Sequence, residues 1–159
     1  GSVYDVSIDH QGLFAASASD DSSVRIWNLQ SGKEIQRLEH SNQVRSAEIS
    51  PDGKTVFTSA LGETGKLWNT QSGKLISEFP NKSGFYNAVR FDKSGQQLLT
   101  GSSAGKIQLW DLKNAELKDT WQAIPKNEWI SSSVMIEDVA FAKQGYLASG
   151  SNGRIFYLK

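Results

Sequence analysis

Short apolar stretches alternate with polar punctuation along this chain, and the alternation repeats. Val3–Ile8, Val44–Ile49, Tyr86–Phe91 and Ile136–Phe141 are each followed by a glycine: Gly12, Gly53, Gly95 and Gly145. A second apolar stretch follows each glycine, at Leu13–Ser17, Thr55–Ser59, Gln97–Gly101 and Tyr146–Gly150. The stretches are rich in Val, Ile, Phe, Thr and Ala and bounded by Gly, Asp, Asn or Ser, which predicts strand, turn, strand. Ser50-Pro51-Asp52-Gly53 is the clearest turn: proline presets φ, aspartate bonds its own backbone and glycine accepts positive φ. No stretch sustains helical spacing, so the chain is predicted to be all-β and mainly antiparallel.

A third strand carries a tryptophan, and it fixes the period. Val24-Arg25-Ile26-Trp27-Asn28-Leu29 returns as Gly65-Lys66-Leu67-Trp68-Asn69-Thr70 and as Ile107-Gln108-Leu109-Trp110-Asp111-Leu112. Ile155-Phe156-Tyr157-Leu158 is a weaker echo with leucine in place of tryptophan. A fourth strand follows a Ser-Gly-Lys turn, at Glu34–Leu38 and Leu75–Phe79; in the third unit Ala115 stands where the glycine stood. A repeat of about 40 residues decides architecture before any single residue is read. The unit is four strands, a to d, present three times in full and a fourth time as far as strand c.

These residues resemble the WD-repeat family of β-propellers. Ala16-Ser17-Ala18-Ser19-Asp20-Asp21-Ser22-Ser23-Val24-Arg25-Ile26-Trp27 is close to the family's strand b, turn, strand c signature. The resemblance implies a single WD-repeat propeller unit over residues 1–159. It divides into four blades of antiparallel strands at about 3–39, 44–80, 86–121 and 135–159, the last lacking strand d, packed around a central channel. An insertion at 118–135 departs from the repeat and carries Trp121 and Trp129. Long ordered loops on rigid scaffolds often carry function, so both tryptophans are candidate partner contacts as well as candidate caps for the blades. Leu117 to Lys126 is also similar to the C-terminal part of bacterial WD-repeat proteins of gammaproteobacteria, some of them envelope lipoproteins. That implies a larger ring, seven-bladed, of which these are the last four blades.

The family often links a histidine before strand a, a Ser or Thr on b, an Asp in the b–c turn and the Trp on c. Here the set is kept in pieces: Ser17, Asp21 and Trp27; His40, Thr58 and Trp68, with Gly62 at the Asp position; Thr100 and Trp110, with Ala104 there. These are read as structural supports. The face built by the d–a and b–c loops commonly docks partners in this family. By position it contributes Tyr4, Gln43, Arg45, Phe85, Asn87, Met135 and Glu137 from the start of strand a, and Asp20, Leu61 and Ser103 from the b–c turn. Tyr, Arg, Phe and Met are residue types suited to interface anchors.

Composition narrows the chemistry. Lys plus Arg equals Asp plus Glu, 17 each among 159 residues, which disfavours a nucleic-acid partner. No run of 18 apolar residues exists to span a membrane. The absence of cysteine removes disulfides and thiolate chemistry and fits cytoplasm and bacterial periplasm or envelope equally. His10 and His40 lie about 30 residues apart, and no zinc, P-loop or dinucleotide signature appears, so no metal or cofactor is predicted. The expectation is a non-enzymatic scaffold for protein–protein interaction. The alternative is a propeller that binds a small ligand, or acts as an enzyme, through its central channel. WD-repeat propellers usually need six to eight blades to close. Four leave apolar blade faces open, and such faces seldom stay exposed. Closure by a homodimer, or completion by further blades, is therefore expected.

Overall fold

The computed structural model describes residues 1–81, 84–124 and 134–159, and these contain fifteen strands and no helix. Blade 1 holds β1 (Val3–Ile8), β2 (Phe14–Ser19), β3 (Ser23–Asn28) and β4 (Lys33–Glu39). Blade 2 holds β5 (Val44–Ile49), β6 (Thr55–Ala60), β7 (Gly65–Asn69) and β8 (Leu75–Phe79). Blade 3 holds β9 (Tyr86–Phe91), β10 (Gln97–Ser102), β11 (Lys106–Asp111) and β12 (Glu116–Gln122). Blade 4 holds β13 (Ile136–Phe141), β14 (Tyr146–Gly150) and β15 (Ile155–Leu158). Each sheet is an antiparallel meander with its strands in chain order. Strands β1, β5, β9 and β13 lie side by side as the inner strands of successive blades; β1 and β13 make no comparable contact, so the arc is not closed.

The four a–b turns need glycine for a reason visible in the backbone. Gly12, Gly53, Gly95 and Gly145 sit at φ of 67, 70, 71 and 87°, in the left-handed region that a Cβ disfavours. Aspartates hold three of these turns: Asp9 Oδ1 accepts the N–H groups of Leu13 and Phe14, Asp52 Oδ1 that of Lys54, and Asp92 Oδ1 those of Gln96 and Gln97.

Three apolar clusters fill the three blade junctions. Ala16, Val24, Ile26 and Leu38 of blade 1 meet Val44, Ala47 and Val56 of blade 2, with Trp68 against them. Phe57, Leu67 and Phe79 of blade 2 meet Tyr86, Val89, Leu98 and Trp110 of blade 3. Here rings do the filling: Phe79 stands edge-on to Phe57 at 5.5 Å and to Trp110 at 5.4 Å. Leu99, Ile107 and Leu109 of blade 3 meet Ile136, Val139 and Ala148 of blade 4. Gly101 is a close-approach site at this last junction, because a Cβ there would collide with the Ile136 side chain.

The insertion expected from residue 118 starts later than the sequence suggested. Strand d of blade 3 continues to Gln122, with Trp121 paired to Ile107, and the indole packs on Tyr146 of blade 4 at 5.3 Å between ring centroids. Trp121 thus belongs to a blade junction, because pairing and burial of its ring override the break in repeat spacing. Trp129 lies outside the described residues.

Candidate functional site

One end of the arc is built by the same device four times. In each blade the second residue of the inner strand is an extra residue in the ladder. Val3 pairs with Ser19 and Asp5 with Ala18, leaving Tyr4 unpaired; the same skip leaves Arg45, Asn87 and Glu137 unpaired. Such a bulge re-aims a side chain away from the regular pleat. Each bulge is clamped by a backbone bond from the b–c turn. Asp20 N–H donates to Ser2 O at 2.9 Å, Leu61 to Gln43 at 3.0 Å, Ser103 to Phe85 at 3.0 Å and Ser151 to Met135 at 2.8 Å. The structure therefore brings Tyr4, Asp20, Gln43, Arg45, Leu61, Phe85, Asn87, Ser103, Met135 and Glu137 onto one rim. Ser151 is the fourth turn residue of the set and was missed in the sequence; the signal was its position directly after Gly150, matching Ser103 after Ser102.

Blades 1 and 2 join through a preassembled group on this rim. The Tyr4 hydroxyl donates to Asp20 Oδ1 at 2.9 Å, and that bond pushes the phenol above its usual pKa. The Arg45 guanidinium lies over the Tyr4 ring, 4.1 Å from its centroid, and donates from Nη2 to Gln43 Oε1 at 2.8 Å. A cation over an aromatic face is attracted by the ring quadrupole. Arg45 Nε is buried without a hydrogen-bond partner among the described residues. Asn87 crosses the gap between blades 3 and 4, donating from Nδ2 to the Ile136 carbonyl at 3.0 Å.

The supports lie beneath the rim. Trp27, Trp68 and Trp110 donate their indole N–H to Ser17, Thr58 and Thr100 at 3.1, 2.8 and 3.1 Å. Asp21 accepts from Ser23 at 2.6 Å and from Arg25 at 3.2 Å, and its carboxyl is held down at about 2, chiefly by the Ser23 bond. In blade 2, Gly62 holds the aspartate position of the repeat, but Glu63, one residue on, supplies the carboxylate. It accepts from His40 Nδ1 at 3.1 Å, from Lys66 at 2.5 Å and from Ser41 N–H at 2.5 Å. Burial raises the Glu63 pKa, but these donors outweigh it and hold the group at about 2. Burial of the imidazole lowers the His40 pKa, against the pull of Glu63. His40 Nε2 has no hydrogen-bond partner among the described residues, so the histidine meets the Thr58–Trp68 pair through ring packing, edge-on to Trp68 at 5.8 Å between centroids.

The inner wall carries charge of both signs. Arg90 reaches Glu48 at 3.5 Å and Asp138 at 3.3 Å, joining blades 2, 3 and 4. Burial pushes Glu48 up to about 7; Arg90 opposes this, and Asp5 and Asp138 add to it. At the far end from the rim, a cavity of about 610 Å³ lies between blades 2 and 3, lined by Leu67, Ile76, Gln96, Asp111, Leu112 and Lys113 among others. No group of three or more metal-ligating side chains occurs among the described residues, and no helix is long and apolar enough to cross a membrane.

The sequence model of the WD domain, G-beta repeat, matches residues 1–28, 32–69 and 73–111. The chain belongs to the WD-repeat family. Each match ends one strand short of a blade boundary, and the second and third join strand d of one blade to strands a to c of the next. WD-repeat relatives include the Coronin-like protein of Saccharomyces cerevisiae, 34% identical over 109 residues, covering 65% of this chain and 17% of that protein. Autophagy-related protein 16 of Arabidopsis thaliana is 26% identical over 138 residues, covering 85% and 26%. Human apoptotic protease-activating factor 1 is 27% identical over 138 residues, covering 86% and 11%. The chain spans between about a tenth and a quarter of the length of these curated relatives.

Proposed function

We propose that this WD-repeat arc is a non-enzymatic docking scaffold whose rim, formed by the inner-strand bulges and b–c turns, binds a protein partner. The observation that carries the reading is the fourfold bulge, which turns Tyr4, Arg45, Asn87 and Glu137 toward the same end of four rigid blades. Tyr4, Asp20 and Arg45 are already joined to one another, so little side-chain freedom is lost on binding. Aromatic and arginine side chains of this kind dominate interface energetics. One relative is named as an activating factor of a protease, a protein that acts on another protein, and the partner for this chain is a protein surface with a carboxylate or carbonyl group for Arg45.

The test is capture of partners from an extract of the source cells with three forms of the chain. Tyr4→Ala with Arg45→Ala is expected to weaken the specific partner at least tenfold, about 1.4 kcal/mol. Lys54→Ala with Lys113→Ala, at the opposite end, leaves binding unchanged. Loss with the lysine pair and retention with the rim pair refutes the reading.

A further inference from the structure

The junction of blades 1 and 2 and the junction of blades 2 and 3 are one place in the repeat, filled in two ways. At the first, a carboxylate of the chain itself completes the group around Trp68. Glu63 accepts from Lys66 at 2.5 Å and from His40 at 3.1 Å. The Lys66 ammonium lies 5.9 Å from the Trp68 ring centroid, and the His40 side chain, edge-on to the same ring, is fully buried. Gln36 also bridges this junction, donating from Nε2 to the Gln71 carbonyl at 2.6 Å.

At the second junction these parts are shorter or missing. By strand register, Trp110 holds the position of Trp68, Gln108 that of Lys66 and Ser77 that of Gln36. Asn81 stands two residues after Phe79, as His40 stands two after Leu38. Gly105 stands two residues before Ile107, as Glu63 stands two before Gly65, and it supplies no carboxylate. A side chain has no room there: φ is 81°, and a Cβ would meet the Val134 carbonyl oxygen at 2.7 Å. What remains is a cavity of about 430 Å³ between Pro80, just past β8, and Lys106, Gln108, Trp110, Ala115 and Leu117 of blade 3.

We propose that this cavity binds an extended acidic segment of a partner protein. One carboxylate of the segment takes the part that Glu63 plays at the first junction, and an aliphatic side chain two residues away rests on Trp110. The site lies on the outer strands, apart from the rim, and the inference does not depend on rim docking. Its donors are in place. Lys106 and Gln108 alternate with Ile107 along one face of β11, and neither side chain has a hydrogen bond or ion pair among the described residues. Lys106 is the one charge among the described residues lining the cavity, so the site favours an anion. A carboxylate on an ammonium and an amide makes charge-assisted hydrogen bonds.

The rest of the cavity is apolar. The Trp110 N–H is spent on Thr100, so its ring offers an apolar surface, and Leu117 at the lip is 42% exposed. Ala115 adds a methyl at φ of 53°, where Gly32 and Gly73 hold the same turn position at 66 and 65°. A Cβ is disfavoured in that region, yet this one packs on the Phe79–Trp110 cluster. The extended form follows from the flanks. Strands β8 and β12 are the outermost of their sheets, and free strand edges offer main-chain groups to an added chain. Side chains two residues apart on an extended chain lie about 6.6 Å apart on one side, the same step as from Gln108 to Trp110 along β11.

Two-dimensional NMR of the 159-residue chain, titrated with acetyl-Gly-Glu-Ser-Leu-Gly-amide and with the reversed acetyl-Gly-Leu-Ser-Glu-Gly-amide, reads the outcome. The methyl signals of Ala115 and Leu117 and the indole N–H of Trp110 are expected to shift and saturate with at least one of the two. The same peptide with Gln in place of Glu is expected to bind about tenfold more weakly, having lost its charge-assisted bonds. Lys106→Glu is expected to abolish the shifts and Lys106→Arg to keep them. Tyr4→Ala with Arg45→Ala, on the rim, is expected to leave them unchanged. Signals that stay in place with both peptides overturn the inference. Equal binding of the Gln peptide, or undiminished binding by Lys106→Glu, removes the carboxylate's role and overturns it as well. Loss of the shifts in the rim pair places binding on the rim and also overturns it.

Discussion

Replacing Glu48 with glutamine is expected to make the fold more stable at alkaline pH and to change nothing in acid. Glu48 lies on the inner wall with its side chain 18% exposed, and its carboxyl titrates at about 7 instead of the usual 4.5. Burial is the main cause; Asp5 and Asp138 add to it, and Arg90 works against it. Between pH 4.5 and about 7 the folded chain holds a proton that the unfolded chain has released, so stability falls as pH rises through that window. The full cost, reached above about pH 7, is the shift times 1.36 kcal/mol per unit, on the order of 3 kcal/mol. Glutamine keeps the shape without the charge, and Arg90 keeps Asp138 at 3.3 Å. Urea unfolding followed by tryptophan fluorescence, at one protein concentration and at pH 4, 5, 6, 7 and 8, gives the difference between variant and wild type. Fixing the concentration removes any contribution from self-association, and taking the difference removes the titration of His40 and the other acids. The difference is expected to be near zero at pH 4 and about 3 kcal/mol in favour of glutamine at pH 8. A difference that does not change with pH, or a variant less stable at pH 8, refutes the reasoning.

Phe79→Ala removes a fully buried ring that touches both Phe57 and Trp110. It is expected to cost about 3–5 kcal/mol in urea unfolding, and a cost below about 1 kcal/mol contradicts the packing described for blades 2 and 3. Gly101→Ala places a methyl against Ile136 and is expected to destabilise by about 1–3 kcal/mol. Pairing it with Ile136→Ala should recover part of that loss, and no recovery argues against the collision. Thr100→Val removes the acceptor of the buried Trp110 N–H, 3.1 Å away, and is expected to cost about 1–3 kcal/mol. A neutral result in the same assay means the indole finds another partner.

Much of the fold was legible because its causes are local. Glycines at the a–b turns carry positive φ, tryptophans mark strand c, and the repeat sets the spacing. What stayed hidden depends on pairing between strands or on neighbours from other blades. The sequence places Tyr4, Arg45, Asn87 and Glu137 near the start of strand a, but only the ladder shows that each is an extra residue turned toward the rim. Gly62 suggested that blade 2 had no carboxylate for His40; Glu63 provides it because this b–c turn takes its positive φ at Gly62, one residue earlier than at Ser22 and Gly105 in blades 1 and 3. Trp121 fell outside the repeat spacing, yet its pairing with Ile107 keeps it in the sheet. The raised pKa of Glu48 was not visible at all, because its main cause is burial between blades and the Asp5 and Asp138 charges that add to it come from two other blades.

The rim, and neither the inner wall nor the opposite end, is proposed to engage the partner. Hydrogen–deuterium exchange with and without the captured partner tests it most directly. Slowed exchange is expected at the bulges and the turns that clamp them, around Tyr4, Asp20, Arg45, Leu61, Asn87 and Ser103, with the a–b turns at Gly53 and Gly95 unchanged. Protection centred on Gly95, Gln96 and Lys113, with the bulges unaffected, contradicts it.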